Sequence, residues 1–319
     1  MNKSLLVFVM LISFWLSVET SPVEPMAFDD LSRPSFIIAK YDRIYILEKT
    51  TVSIYSIKDF KLIKQFGKAG EGPGELKYIP NDRPLNMFFR NGEIVINSQN
   101  RVSFFSKDGD YLREVKLAVG SFIYPLKDNY LGVGPILGDD KKSHMGFRLY
   151  DQAFKGQKVL FKSDFEVRNP GQVLLPVMPF TYNPLYKDRI YINASSGKFR
   201  IQVFDFSGKL VKTISKEYPQ LPVSDHYKKE SLNFFKTDFR FKGNLDYIKK
   251  RLKYRSHHPV IQDIQVAEEK IFVVTYQKKD DLSECIILDM AGKELKRIYV
   301  PLNQLEPLSF YPLLYSVYQ

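Results

Sequence analysis

The chain has 319 residues, 44% of them hydrophobic and 26% charged, with a formal net charge of +11. That balance excludes a disordered or collagenous chain and suffices for one large domain or two smaller ones. Aromatic residues reach 14%, and β-branched and aromatic runs such as IYIL, IFVVTY and CIILD suit a pleated surface, so the predicted class is all-β.

Residues 1–20 read as a signal peptide. Lys3 precedes an apolar run from Leu5 to Val18, and Glu19-Thr20-Ser21-Pro22 supplies a cleavage zone. About 14 apolar residues fall short of the roughly 20 that a bilayer span needs. No later segment reads as a span, so the expected location is secreted or periplasmic, with no transmembrane segment after cleavage.

From residue 21 onward the chain reads as repeats. A first unit covers roughly 35–66, with apolar runs SFIIAK, RIYILE and TVSIYS and a last strand before Phe66. A glycine-rich stretch, FGKAGEGPGELK, follows. It lacks the Lys-Ser/Thr ending of a phosphate loop, because Glu75 and Leu76 stand there, and so reads as a connector whose glycines allow a tight chain reversal. Further units cover roughly 85–117, 122–163 (a degenerate copy), 179–214 and 261–300. The anchors Ile44, Ile94, Ile190 and Ile271 fit a period of roughly 48 residues once the degenerate copy and one insertion are allowed for. Asp108-Gly109, Ser207-Gly208 and Ala291-Gly292 mark the turn before the last strand of their units, with Lys58-Asp59 in the first, which predicts antiparallel pairing. A sixth unit would draw on 308–319 together with 22–30, and is either incomplete or closed by the N-terminal segment. Between the fourth and fifth units, 224–256 reads as a short helical insertion: Leu245, Ile248 and Leu252 follow Asn244, and an earlier helix is expected near Ser224 to Lys236.

Six four-stranded units describe a β-propeller. The run Phe66-Gly67-x-x-Gly70-x-Gly72-Pro73-Gly74 resembles the junction of exported bacterial six-bladed propellers related to NHL repeats. The resemblance implies four-stranded antiparallel blades around an axis, and the long connections of this chain, Gly67 to Asp82, Leu137 to Met145, Val167 to Pro176 and Ser215 to His258, are then expected on one face. It leaves function open, because such folds include binding modules, lyases and hydrolases.

The insertion carries ten Lys/Arg against four acidic residues between Asp225 and His258. This points to an anionic glycan or an envelope protein as partner, and Lys68, Arg83, Arg168, Lys249 and Arg251 are the candidate binding residues. Nucleic acid fits less well, because the positive charges are not interleaved with a stacking platform. Catalytic and metal-ligand patterns are lacking. His144, His226, His257 and His258 do not have zinc spacing and are expected to be exposed, and Cys285 reads as a small apolar residue of a buried strand. Asp139-Asp140 beside His144 is the nearest approach to a charged catalytic group. The expected function is thus non-catalytic binding through the loop-rich face without a cofactor. The alternative is a divalent-ion-dependent hydrolase or lyase with an axial site. For that alternative the propeller resemblance suggests calcium held by residues such as Asn86, Asn129 and Asp263.

Overall fold

The computed structural model describes residues 31, 34–77, 85–98, 100–117, 122–166, 173–175, 184–237 and 245–301. The chain divides after Arg33, and the architecture below belongs to the unit that begins at Pro34. The proposed leader, the sixth repeat at 308–319 with 22–30, and the candidates Arg83 and Arg168 lie outside the described residues.

Twenty strands form five antiparallel four-stranded meanders, each in chain order. The first holds β1 (Phe36–Lys40), β2 (Arg43–Glu48), β3 (Thr51–Ser56) and β4 (Leu62–Phe66). The second holds β5 (Asn86–Arg90), β6 (Glu93–Ser98), β7 (Arg101–Phe105) and β8 (Tyr111–Lys116). The third, predicted as the degenerate copy, holds β9 (Phe122–Pro125), β10 (Tyr130–Leu137), β11 (Ser143–Tyr150) and β12 (Gly156–Glu166). A short strand β13 (Val173–Leu175) follows, and then β14 (Leu185–Tyr186), β15 (Arg189–Asn193), β16 (Phe199–Asp205) and β17 (Leu210–Lys216) of the fourth sheet. Two helices come next, α1 (Asp225–Thr237) and α2 (Leu245–Arg251), then β18 (Leu252–Tyr254), which pairs in parallel with β13. The fifth sheet holds β19 (Ile261–Ala267), β20 (Lys270–Lys279), β21 (Leu282–Asp289) and β22 (Glu294–Val300).

The first strands of consecutive sheets lie against one another: β1 meets β5, β5 meets β9, and β14 meets β19. This nesting of innermost strands is the arrangement of β-propeller blades. Five blades are described, and the expected count of six is not reached within them. The inner strand of the fourth blade is Leu185–Tyr186, downstream of the predicted run at 179–184, most of which lies outside the described residues.

Strand alternation explains why the blades stack. In β6 and β7, Ile94, Ile96 and Phe105 join Tyr45, Leu47, Val52 and Ile54 of the first blade in one buried cluster. Val95, Val102 and Phe104 point the other way and join Ile123, Tyr130, Tyr150 and Phe154 of the third. Successive side chains of a strand face opposite sides, so a central blade needs apolar residues at both parities. Equivalent clusters join blades three and four and blades four and five.

The turns between third and fourth strands repeat one device. The first turn residue accepts backbone N–H groups of the turn on its own side chain: Ser56, Ser106, Asp151, Asp205 and Asp289 all do so. Gly109, Gly208 and Gly292 sit at φ +81°, +78° and +93°, each against the outermost strand of the preceding blade. A Cβ there would lie 2.4 Å from Phe66, 2.5 Å from Leu160 and 2.7 Å from Ile214, respectively. These glycines therefore serve the turn and the approach of two blades together. In the degenerate copy Phe154 takes this position at φ +60° and stacks on Tyr130 at 4.2 Å.

Candidate interaction face

Each meander starts its innermost strand and ends its second strand on the same face. The connections between blades and the turns between second and third strands therefore emerge together there. Three elements rise from this face, one of them the hairpin of β20 and β21, which pairs out to Lys279↔Leu282 beyond the end of β19. β10 and β11 are eight residues each and pair from Tyr130↔Tyr150 out to Leu137↔Ser143, which puts Leu137 at the tip, 72% exposed. The long loop expected from Leu137 to Met145 is thus corrected to a short turn at 138–142, because the strands continue into it. The third element is the insertion between β17 and β19.

The insertion folds as a lobe on a neck. Pro222 and His257 form an antiparallel bridge, Val223 N donates to Ser256 O at 2.9 Å, and His258 N donates to Leu221 O at 2.8 Å. Ser224 caps α1 by accepting from Tyr227 N at 3.1 Å. Phe235 and Ile248 are buried with Phe234, Leu245, Leu252 and Tyr254 around them, so the two helices share a small core of their own. Tyr254 OH donates to Lys228 O, which ties β18 back to α1.

At the base of the lobe His258 is sandwiched. Its ring stacks on Tyr276 at 4.5 Å and meets Tyr227 edge-on at 4.6 Å. It is 6% exposed, so the expectation of an exposed side chain fails. His257 is exposed, as the opposite directions of neighbouring residues in an extended chain require. Burial, assisted by Lys278, pushes the His258 pKa down to about 4. Five residues on, Asp263 is 5% exposed and its Oδ1 has no hydrogen-bond partner; burial raises its pKa to about 7. In the same sheet as Asp263, Glu284 accepts hydrogen bonds from Tyr218 OH and Thr275 Oγ1 and pairs with Arg297 at 2.7 Å. This chain of contacts links the end of the fourth blade to the fifth.

Of the five candidate binding residues, Lys68, Lys249 and Arg251 fall among the described residues. Lys68 is paired with Glu75 at 2.9 Å, and Glu75 also accepts from Gly72 N at 2.8 Å. These partners, the Gly72 amide first, hold the Glu75 carboxyl below its usual range. Lys68 therefore belongs to the glycine-rich connector rather than to a free cationic site. The described part of that connector packs into the body: Leu76 is fully buried between blades one and two, and Arg101 donates to Glu71 O at 3.1 Å. Lys249 is exposed on α2, and Arg251 closes the same helix.

The axial candidates separate as well. Asn86 donates to Ile123 O at 2.8 Å and so clips blade two to blade three. Asn193 donates in the same way to Ile261 O, between blades four and five. Asn97 accepts from Ile123 N at 3.1 Å. Asn97 and Asn193 occupy matching places in EIVIN and RIYIN, a repeat signal that sequence reasoning missed. Asn129 lies in the turn between β9 and β10, at the far end of its blade from the starts of β5 and β19. Among the described residues no group of three or more His, Cys, Asp or Glu could hold a metal ion. Asp140 binds His144 at 3.0 Å, which lowers the Asp140 pKa, and both belong to the tip of the third-blade hairpin. Cys285 is buried in β21, as expected.

Among the described residues no helix is long and apolar enough to cross a membrane. No protein-family model matches the chain, and no curated protein matches it. Solved structures similar to it include a protein described as exported from Bacteroides fragilis, at TM-score 0.49 and 16% identity over 88% of this chain and 75% of that one. The WD40 domain of Pan2 from Neurospora crassa is similar at TM-score 0.46 and 9% identity, covering 85% of this chain and 67% of that one. Hydrazine synthase of Kuenenia stuttgartiensis matches at TM-score 0.46 and 10% identity, over 89% of this chain and 70% of that one.

Proposed function

We propose that the protein is an exported binding module that engages its partner, an envelope protein or an anionic glycan, through the face carrying the third-blade hairpin and the helical lobe. One observation supports the reading: the turns of the opposite face are tight, while the elements that rise from the blades, the third- and fifth-blade hairpins and the lobe, stand on this one. Rigid sheets hold the protruding elements in place, which keeps the ordering cost of recognition low. A leader at residues 1–20 and a sixth blade from 308–319 with 22–30 are part of this proposal.

The test uses photo-crosslinking residues placed at Leu137, Lys249 or Lys279 on the proposed face, and at Tyr41, Asp188 or Glu268 on the other, with extract of the source envelope as bait. Crosslinks to a discrete species from the first set alone support the reading. Equal or greater crosslinking from the second set overturns it. Melting the protein with and without a chelator tests the ion-dependent enzyme reading, since a resident divalent ion raises the melting temperature by mass action.

A further inference from the structure

We propose that α1, α2 and β18 of the helical lobe are the recognition element for an acidic polysaccharide, held through ammonium groups on their outer surface. The inference rests on the interaction face proposed above and names the class of ligand it takes. Lys229 and Lys236 of α1, Lys249 and Lys250 of α2, and Lys253 of β18 are all exposed, and none makes an ion pair among the described residues. The contrast with the rest of the lobe is informative: Lys228 is paired with Asp225, and His226 with Glu230. The remaining lysines form a cationic surface on two packed helices whose neck fixes their orientation.

The apolar residues decide between kinds of anion. Phe234, Phe235, Leu245, Ile248 and Leu252 are turned into the lobe's own core. None of the large exposed hydrophobic residues of the described chain lies between Asp225 and Tyr254. Protein interfaces are built on a desolvated apolar or aromatic centre from which lysine is depleted, and the described residues of the lobe expose no such centre. Single-stranded nucleic acid needs aromatic platforms for its bases, and none is exposed among the described residues of the lobe. A hydrated polyanion needs neither. Its carboxylate or sulfate groups are met one at a time by lysine, a compact point charge, whereas planar bidentate recognition would favour arginine.

Binding of heparin (sulfated), polygalacturonate (carboxylated), dextran (neutral) and a poly-glutamate peptide is measured on the full chain by interferometry across a salt series. The lobe variant Lys229→Gln, Lys236→Gln, Lys249→Gln, Lys250→Gln, Lys253→Gln is compared with one that removes equal charge from turns of the opposite face, at Lys58, Lys107, Lys127, Lys209 and Lys293. The expected result is salt-sensitive binding of at least one anionic polysaccharide, weakened by about tenfold or more in the lobe variant, with the control close to wild type and both melting temperatures unchanged. Heparin against polygalacturonate tells sulfate from carboxylate. Equal losses in the two variants, no polysaccharide binding, or poly-glutamate bound as tightly as the polysaccharides would each overturn the inference. If the lobe variant binds as wild type while crosslinks still map to the face, the ligand class falls and the face reading stands.

Discussion

Two connections in this chain make the same topological step, from the outer strand of one blade to the inner strand of the next, and they do it with opposite chemistry. The first, after β4, folds into the body: its glycines allow close approach, Leu76 fills the interface between blades, and Lys68 is neutralised by Glu75. The second, after β17, leaves the body through a two-strand neck, builds its own core around Phe235 and Ile248, and keeps five lysines unpaired among the described residues. A charged loop is available for binding only when its charges are not already spent on its own fold. Sequence charge alone does not separate these cases, because Lys68 and Lys249 look alike until their neighbours are placed.

The sharpest way to break the contrast is to truncate the apolar anchor of each connection. Leu76→Ala should cost about 2–5 kcal/mol of global stability, as full burial of a leucine implies, read from the denaturant midpoint. Ile248→Ala should instead open the lobe, raising protease cleavage between α1 and β18 while the main unfolding transition stays near wild type. A global loss from Ile248→Ala equal to that from Leu76→Ala would show that the lobe is not separable.

The second connection ends on two buried ionisable groups, and their linkages oppose each other. His258 has a folded pKa depressed from 6.5 to about 4, so its contribution is present above pH 6.5 and lost as pH falls towards 4. Asp263 is raised from 3.8 to about 7, so stability is present below pH 3.8 and lost as pH rises towards 7. Between pH 4 and 6.5 the slopes largely cancel in the native chain. Asp263→Asn should unmask the histidine, giving a loss on the order of 3 kcal/mol from pH 6.5 to 4. His258→Phe should unmask the aspartate, with stability falling as pH rises over the same range. Melting curves across pH test both, and unchanged slopes in the variants would refute the assignment.

Smaller effects belong to the turns that let blades approach. Gly109→Ala combines a positive φ with a Cβ 2.4 Å from Phe66 and should cost about 1–3 kcal/mol. Gly92→Ala has the same positive φ and open space around it, so the difference between the two isolates the contact with the neighbouring blade. Least affected should be Lys68→Gln: its ion pair is exposed, and the melting temperature should not move measurably. Loss of polyanion binding in that variant would contradict the assignment of the first connection to structure.

Much of the architecture was legible in local patterns. Alternating apolar runs placed the strands of the blades at 35–66, 85–117, 122–163 and 261–300, since residues of one parity must pack on one neighbour and those of the other parity on the next. The helices expected near Ser224 to Lys236 and at Leu245 and Ile248 are α1 and α2, because helical periodicity is a property of short segments, while Leu252, expected in the second helix, opens β18. The outward reach of β10 and β11 was not legible, because Gly132, Gly134 and Pro135 interrupt a run that cross-strand pairing completes. Nor was the burial of His258 or the unpartnered Oδ1 of Asp263. The sequence by itself determined the repeat, the strand class and the charge of the insertion, all of which are sums over neighbours along the chain. Only the tertiary structure decided which lysines stay free, which histidine is enclosed and which glycines face another blade, because each depends on residues tens of positions away that only blade-to-blade packing brings within contact.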